Sequence, residues 1–240
     1  MQDPCASSSF TDVRFTSLVP ATFVARPNRF LLWADIGPRR VAVASRDPGR
    51  LEGILVPGAR LLLAPSATPG RRTAFTLTLA RQGESWVCLI PALASRIVHF
   101  AAASCGISGL KGAKVIQREV VSGRSRIDFL MRYRGRPLLA EVKAAVFVVG
   151  RRALFPDCPT ARGTRHVEEL IAARRRGHQA ALIFVVHRED ADRLSPWSAV
   201  DPEFARALRD AHRRGVRLLA YTCRVTPREC TLARRIPVEL

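Results

Sequence analysis

Residues 126–149 read RIDFLMRYRGRPLLAEVKAAVFVV. Two segments, Arg126 to Tyr133 and Pro137 to Val149, flank a short Arg-Gly turn. The second has the length, the Val/Phe content and the near-continuous apolar character of a buried strand. Side chains two apart on a strand share a face, so Glu141 and Lys143 project together. If the first segment pairs beside the second, Asp128 converges on Glu141. Leu138-Leu139-Ala140 and Ala144 to Phe147 place these charges in a sheet interior, where they need partners or a metal. The alternative is a solvated strand face carrying a cross-strand ion pair.

The spacing Asp128-x12-Glu141-x-Lys143 suits one chemistry. Two carboxylates make a hard-oxygen site for Mg²⁺ or Mn²⁺. Such an ion lowers the pKa of a bound water and neutralises charge on a phosphate, while Lys143 orients or polarises the nucleophile. The expected reaction is phosphodiester hydrolysis, with Asp128 and Glu141 as metal ligands. Lys143 is one of three lysines among 39 basic residues, which suggests that a compact ammonium is needed there.

The 240-residue chain, 48% hydrophobic, is expected to be globular. Its net charge of +19 is uncompensated. Arg39-Arg40, Arg71-Arg72, Arg151-Arg152, Arg174 to Arg176, Arg213-Arg214 and Arg234-Arg235 spread it along the chain. A polyanion is the natural partner. No basic amphipathic helix with a bulky apolar face, no apolar run of membrane-spanning length and no signal peptide is read. Cys5, Cys88, Cys105, Cys158, Cys223 and Cys230 lack C-x-x-C spacing and read as reduced thiols of a cytoplasmic, nucleoid-associated protein.

Residues 1–12 read as a disordered tail. Across 13–86, short apolar runs alternate with Pro38, Pro48-Gly49, Pro57-Gly58 and Pro69-Gly70, the pattern of a small OB-like β-barrel able to hold nucleic acid. Phe30 and Trp33 are assigned to its core, with base stacking as the alternative. From 87 to 240 the predicted order is αβββαβαβ, a mixed sheet flanked by helices. Its helices are Ala92 to Ala103, Thr164 to Arg176 and one starting at Asp201-Pro202; its last strand is Val216 to Tyr221. Arg162, Arg165 and His166 near a helix start form an expected phosphate seat, the alternative being a capped helix with solvated arginines.

The strings RPNRFLLWADI (26–36), DPGRLEGILVPG (47–58), SRIDFL (125–130), EVK (141–143), FPDCPTARGTRHVEEL (155–170) and the ending IPVEL resemble the sugar fermentation stimulation protein A (SfsA) family. The element order carrying D-x12-E-x-K resembles the restriction-endonuclease-like PD-(D/E)xK core. The resemblance implies an N-terminal OB-like domain, a C-terminal nuclease-like domain and DNA binding, with double-stranded DNA as the expected partner. It carries over Asp128, Glu141 and Lys143 as the metal and catalytic set, and Glu119 as an additional acidic residue. Arg26, Arg29, Arg50, Arg126, Arg162, Arg165 and His166 are the implied nucleic-acid contacts. The family name implies a different role, a non-catalytic DNA-binding regulator of sugar (maltose) utilisation genes; an RNA-binding module is a third reading. The chain departs from the family pattern at Ala44, Ile90 and Phe100, each of which replaces a polar group.

Overall fold

A computed structural model describes residues 13–66, 72–104 and 106–240. The expected tail, Cys5, Cys105, the Pro69-Gly70 turn and Arg71 lie outside them. Six strands come first: β1 (Val19–Asn28), β2 (Leu31–Ile36), β3 (Arg39–Ala44), β4 (Arg60–Pro65), β5 (Phe75–Gln82) and β6 (Ser85–Cys88). They run in the order β3-β2-β1-β4-β5-β6, and a further β3–β5 pairing closes the first five into an OB barrel. Tight turns set its register. Ile36 pairs with Arg39 across Gly37-Pro38, and Asn28 with Leu31 across Arg29-Phe30. The Asn28 carboxamide accepts the N–H groups of Phe30 and Leu31, a local turn that asparagine is suited to form. Leu32, Ala34, Val43, Leu61, Leu63 and Leu77 fill the interior.

Phe30 and Trp33 are not core residues. They are 63% and 38% exposed, because the period of two puts Leu32 and Ala34 inside and leaves Trp33 on the outer face.

The second half contains α1 (Leu93–Ala103), β7 (Lys114–Ser122), β8 (Ser125–Tyr133), β9 (Arg136–Ala145), β10 (Phe147–Val149), β11 (Arg152–Phe155) and α2 (Ala161–Arg175). It continues with β12 (Gln179–Val186), β13 (Arg193–Pro196), α3 (Pro202–Arg213), β14 (Arg217–Val225) and β15 (Cys230–Ile236). A six-stranded sheet runs β15-β14-β12-β9-β8-β7, with β9, β12 and β14 mutually parallel. One face packs on α1 and on Leu62, Leu79 and Cys88 of the barrel; the other packs on α2 and α3. Strands β9 and β12, buried on both faces, are the apolar runs expected of a covered parallel sheet.

The single strand expected from Pro137 to Val149 is broken at Val146. That side chain inserts into the barrel core, and the chain beyond it joins a separate three-stranded sheet, β10-β11-β13. The strand read as last, Val216 to Tyr221, is followed by β15. Helix α2 starts three residues earlier than expected, because Thr160 caps it by accepting the Gly163 N–H. Asp201 caps α3 through the Phe204 N–H and also takes the Thr160 N–H, so one buried carboxylate fixes both helix starts. Cys88, Cys158, Cys223 and Cys230 are free thiols. Among the described residues no helix is long and apolar enough to cross a membrane.

Candidate functional site

Strands β8 and β9 pair as far as Phe129 and Ala140 and then part. Beyond that point side chains replace the ladder. The Val142 N–H donates to Asp128 Oδ2 at 2.8 Å, and the Asp128 N–H reaches Glu141 Oε2 at 3.3 Å. The splayed strands thus present two carboxylates side by side while leaving neither backbone N–H unsatisfied. Ser95 of α1 donates its hydroxyl to Asp128 Oδ1 at 2.9 Å.

Glu141 is 3% exposed and carries the positive side of the site. Lys143 Nζ donates to its Oε1 at 2.6 Å, and His166 Nδ1 contacts the same oxygen. Behind the ring, the Arg162 Nε–H points at His166 Nε2 at 3.4 Å. Arginine can only donate, so a neutral ring that accepts this contact at Nε2 has its Nδ1 proton to give to Glu141.

The two acids respond oppositely. Burial and then the Glu141 charge push the Asp128 carboxyl up, against the Val142 and Ser95 hydrogen bonds. Burial also pushes Glu141 up, but the His166 hydrogen bond and the Lys143 charge outweigh it and hold it below the usual value. Glu141 is the anchored anion, and Asp128 is the carboxylate left crowded by a like charge.

Asp128, Glu141 and Lys143 therefore meet, and His166 joins them. The earlier helix start places His166 in the second turn of α2, buried against β9 rather than at a phosphate seat. Arg162 turns its Nε toward that histidine, while Arg165 is exposed. Glu119 does not join the carboxylates. It sits on β7 with φ 55° and forms an exposed 3.6 Å pair with Arg126.

Arg26 is withdrawn from any ligand as well. Its guanidinium donates to the carbonyls of Gly49, Arg50, Arg29 and Asp47 at 2.7–2.9 Å, knotting the DPGR turn to β1. Arg29 and Arg50 remain exposed. Ser95, absent from the expected set, had no spacing signal, since it comes from another element 33 residues away.

Among the described residues, no three or more His, Cys, Asp and Glu side chains are grouped to hold a metal ion. Asp128 and Glu141 supply two hard-oxygen groups. That donor set fits a cation such as Mg²⁺, which keeps several waters and is commonly held by one or two carboxylates plus phosphate oxygens.

Two family models match the chain: the SfsA N-terminal OB domain over residues 24–89 and the sugar fermentation stimulation protein RE domain over residues 92–229. A sugar fermentation stimulation protein homolog of Moorella thermoacetica is 40% identical over 226 residues, 93% of this chain and 97% of the relative. One from Chloroflexus aggregans is 41% identical over 221 residues, 92% of this chain and 85% of the relative. The structure of Pyrococcus furiosus SfsA in complex with Ca²⁺ is similar to this one with a TM-score of 0.86 and 27% identity, covering 96% of this chain and 99% of that one.

Proposed function

The chain belongs to the sugar fermentation stimulation protein (SfsA) family, and we propose that it is a DNA-binding protein with a PD-(D/E)xK core that hydrolyses phosphodiester bonds with Mg²⁺ or Mn²⁺. The observation that carries this reading is the crowding of Asp128 against Glu141 beside Lys143. A buried and a half-buried carboxylate that repel each other are relieved by a divalent cation. Asp128 and Glu141 would hold it, and Ser95 and His166 keep the two side chains aimed at each other. A bound ion would supply an activated water and neutralise the phosphate. Lys143, held 2.6 Å from Glu141, would orient the nucleophile. That Pyrococcus furiosus SfsA forms a complex with Ca²⁺ supports an oxygen-ligated cation here.

The test is plasmid nicking in Mn²⁺ by the wild type and by Glu141→Ala and Lys143→Ala. Nicking by the wild type alone is expected; equal activity in all three, or none in any, removes the enzymatic claim. The net charge of +19 supports the DNA partner. Affinity for duplex should fall with salt, log K changing by about −0.9 per phosphate neutralised, and a flat dependence contradicts it.

One observation favours the second reading, a non-catalytic DNA-binding regulator of sugar-use genes. Glu141 Oε1 is already engaged by both Lys143 and His166, so that carboxylate is compensated by the protein itself. That reading predicts binding without cleavage and affinity indifferent to Glu141→Ala.

A further inference from the structure

The outer face of β1, β2 and β3 carries an indole that the barrel does not use. Trp33 pairs in register with Ala25 on one side and Ala42 on the other, and neither methyl is large enough to cover it. Leu31, two residues back on the same face, stands opposite Ala44. Phe30 sits at the hairpin tip, 63% exposed. Neither aromatic packs on the barrel core, which Leu32, Ala34 and Val43 already fill. Two exposed aromatics beside Ala25, Ala42 and Ala44 form an open surface.

Arginines flank this surface. Arg29 precedes Phe30 in the turn, and the bond from the Ser45 N–H to the Phe30 carbonyl brings Arg46 beside it. Arg39 lies at the far end of β3 and Arg50 after the DPG turn. These four are exposed and form no ion pair among the described residues. The carboxylate of the face, Asp35, is bound by Arg40 at 3.0 Å. Arg29 and Arg50 also act electrostatically on the Cys158 thiol. Cys158 is two residues before Thr160, the cap of the helix that carries His166 to Glu141. The tip of the aromatic face therefore borders the segment leading into the carboxylate site.

We infer that this face is a stacking surface for unpaired bases, so that the DNA handled by the chain includes a single-stranded segment. The inference rests on the DNA-binding reading and narrows it. Bases in an intact duplex are stacked on each other and offer no face to Trp33 or Phe30. Those of a free strand do, and every base has such a face, so the contact needs no sequence preference. Arginines flanking the aromatics suit the phosphates of the same strand.

The experiment is fluorescence anisotropy with a labelled oligothymidine strand and a duplex of equal length, for the wild type, Trp33→Ala, Phe30→Ala and Trp33→Phe. Thermal melting checks the fold of each variant. Each alanine variant should weaken single-strand binding roughly ten-fold, change duplex binding by less than about two-fold because duplex bases are hidden, and melt like the wild type. Trp33→Phe should keep most of the affinity. Single-strand binding that survives both alanine changes, or falls in step with duplex binding, overturns the stacking face and leaves the DNA reading standing. Wild-type binding to neither DNA overturns that reading too. Single-stranded RNA that outcompetes the DNA strand overturns the assignment to DNA.

Discussion

Two pairs of crowded carboxylates sit in this molecule and are held in opposite ways. Asp128 and Glu141 face each other where β8 and β9 part, with a lysine and a histidine on Glu141. Asp47 and Asp157 meet where the barrel touches the segment before α2, and the guanidinium nearby, Arg26, is spent on carbonyls. In both pairs burial and a like charge raise one member: Asp128 in the first, Asp47, to about 6, in the second. The surroundings differ. At the first pair strand separation leaves side chains where a ladder would be. At the second, Gly49 closes on the acid, since a Cβ there would stand 2.2 Å from Asp157 Oδ2. In the proposed function the first pair holds a cation, whereas the second acts as a latch between the barrel and the segment before α2.

The widest separation between the pairs comes from removing one acid of the first. Glu141→Ala strips Lys143 and His166 of their shared partner, and breaking such a buried pair costs about 3–5 kcal/mol. Denaturant unfolding should show that loss, and calorimetric Mn²⁺ titration should show no binding. Asp128→Asn is the contrast. It removes the crowded charge but keeps an acceptor for the Val142 N–H, so the variant should unfold no more easily than the wild type at pH 7 while losing Mn²⁺. Retained Mn²⁺ affinity in Asp128→Asn would break the comparison.

For the second pair the expected signature is a pH dependence. Asp47 is raised from 3.8 to about 6 in the folded protein, so between those values the folded state holds a proton that the unfolded state has lost. Stability then falls as pH rises through that window. Above it the ionised carboxylate costs roughly 3 kcal/mol. Asp47→Asn keeps an acceptor for the Gly49 N–H and should flatten that slope. Going from pH 4 to pH 7, the variant should lose about that much less unfolding free energy than the wild type; identical pH profiles in the two contradict the assignment.

How far these pairs are legible in the sequence follows from the forces that place them. Asp128 and Glu141 are legible because one ladder relates them and a period of two aims their side chains. Helix α3 announces itself through Asp201-Pro202 and Gly215. His166 is misplaced by its sequence context because the cap at Thr160 competes with the apolar periodicity that starts later, although threonine is itself a residue type that caps helices. The three- and four-residue strands β10, β11 and β13 are too short to show a period. Strand β15 hides behind Arg234-Arg235, which look like surface charge. Arg26 cannot be told from Arg29, since composition is blind to whether a guanidinium meets water or four carbonyls. Asp47 and Asp157 lie on opposite sides of the domain junction, and no local pattern couples them.

Gly49 sharpens the latch at smaller amplitude. In Gly49→Ala the new methyl displaces the Asp157 carboxylate, which must turn away and give up its long 3.5 Å contact with the Leu51 N–H. Overpacking of this kind costs about 1–3 kcal/mol. The melting temperature should fall while Mn²⁺ affinity at the first pair stays that of the wild type. Loss of Mn²⁺ binding in this variant would mean that the two pairs are coupled.

The smallest effect expected belongs to Glu119, and it tests whether the first pair is complete. Its carboxylate lies 3.6 Å from Arg126 with both side chains more than 60% exposed. An ion pair so placed is screened by solvent and contributes under about 1 kcal/mol. That pair with Arg126 is the contact its carboxylate makes, and none joins it to Asp128 or Glu141 among the described residues. Glu119→Gln should therefore leave unfolding, Mn²⁺ affinity and nicking unchanged within error. A drop in Mn²⁺ affinity with unchanged stability would make Glu119 a third carboxylate of the site, reached by a movement of the β7–β8 hairpin, and the contrast between an open pair and a closed one would have to be redrawn around three acids.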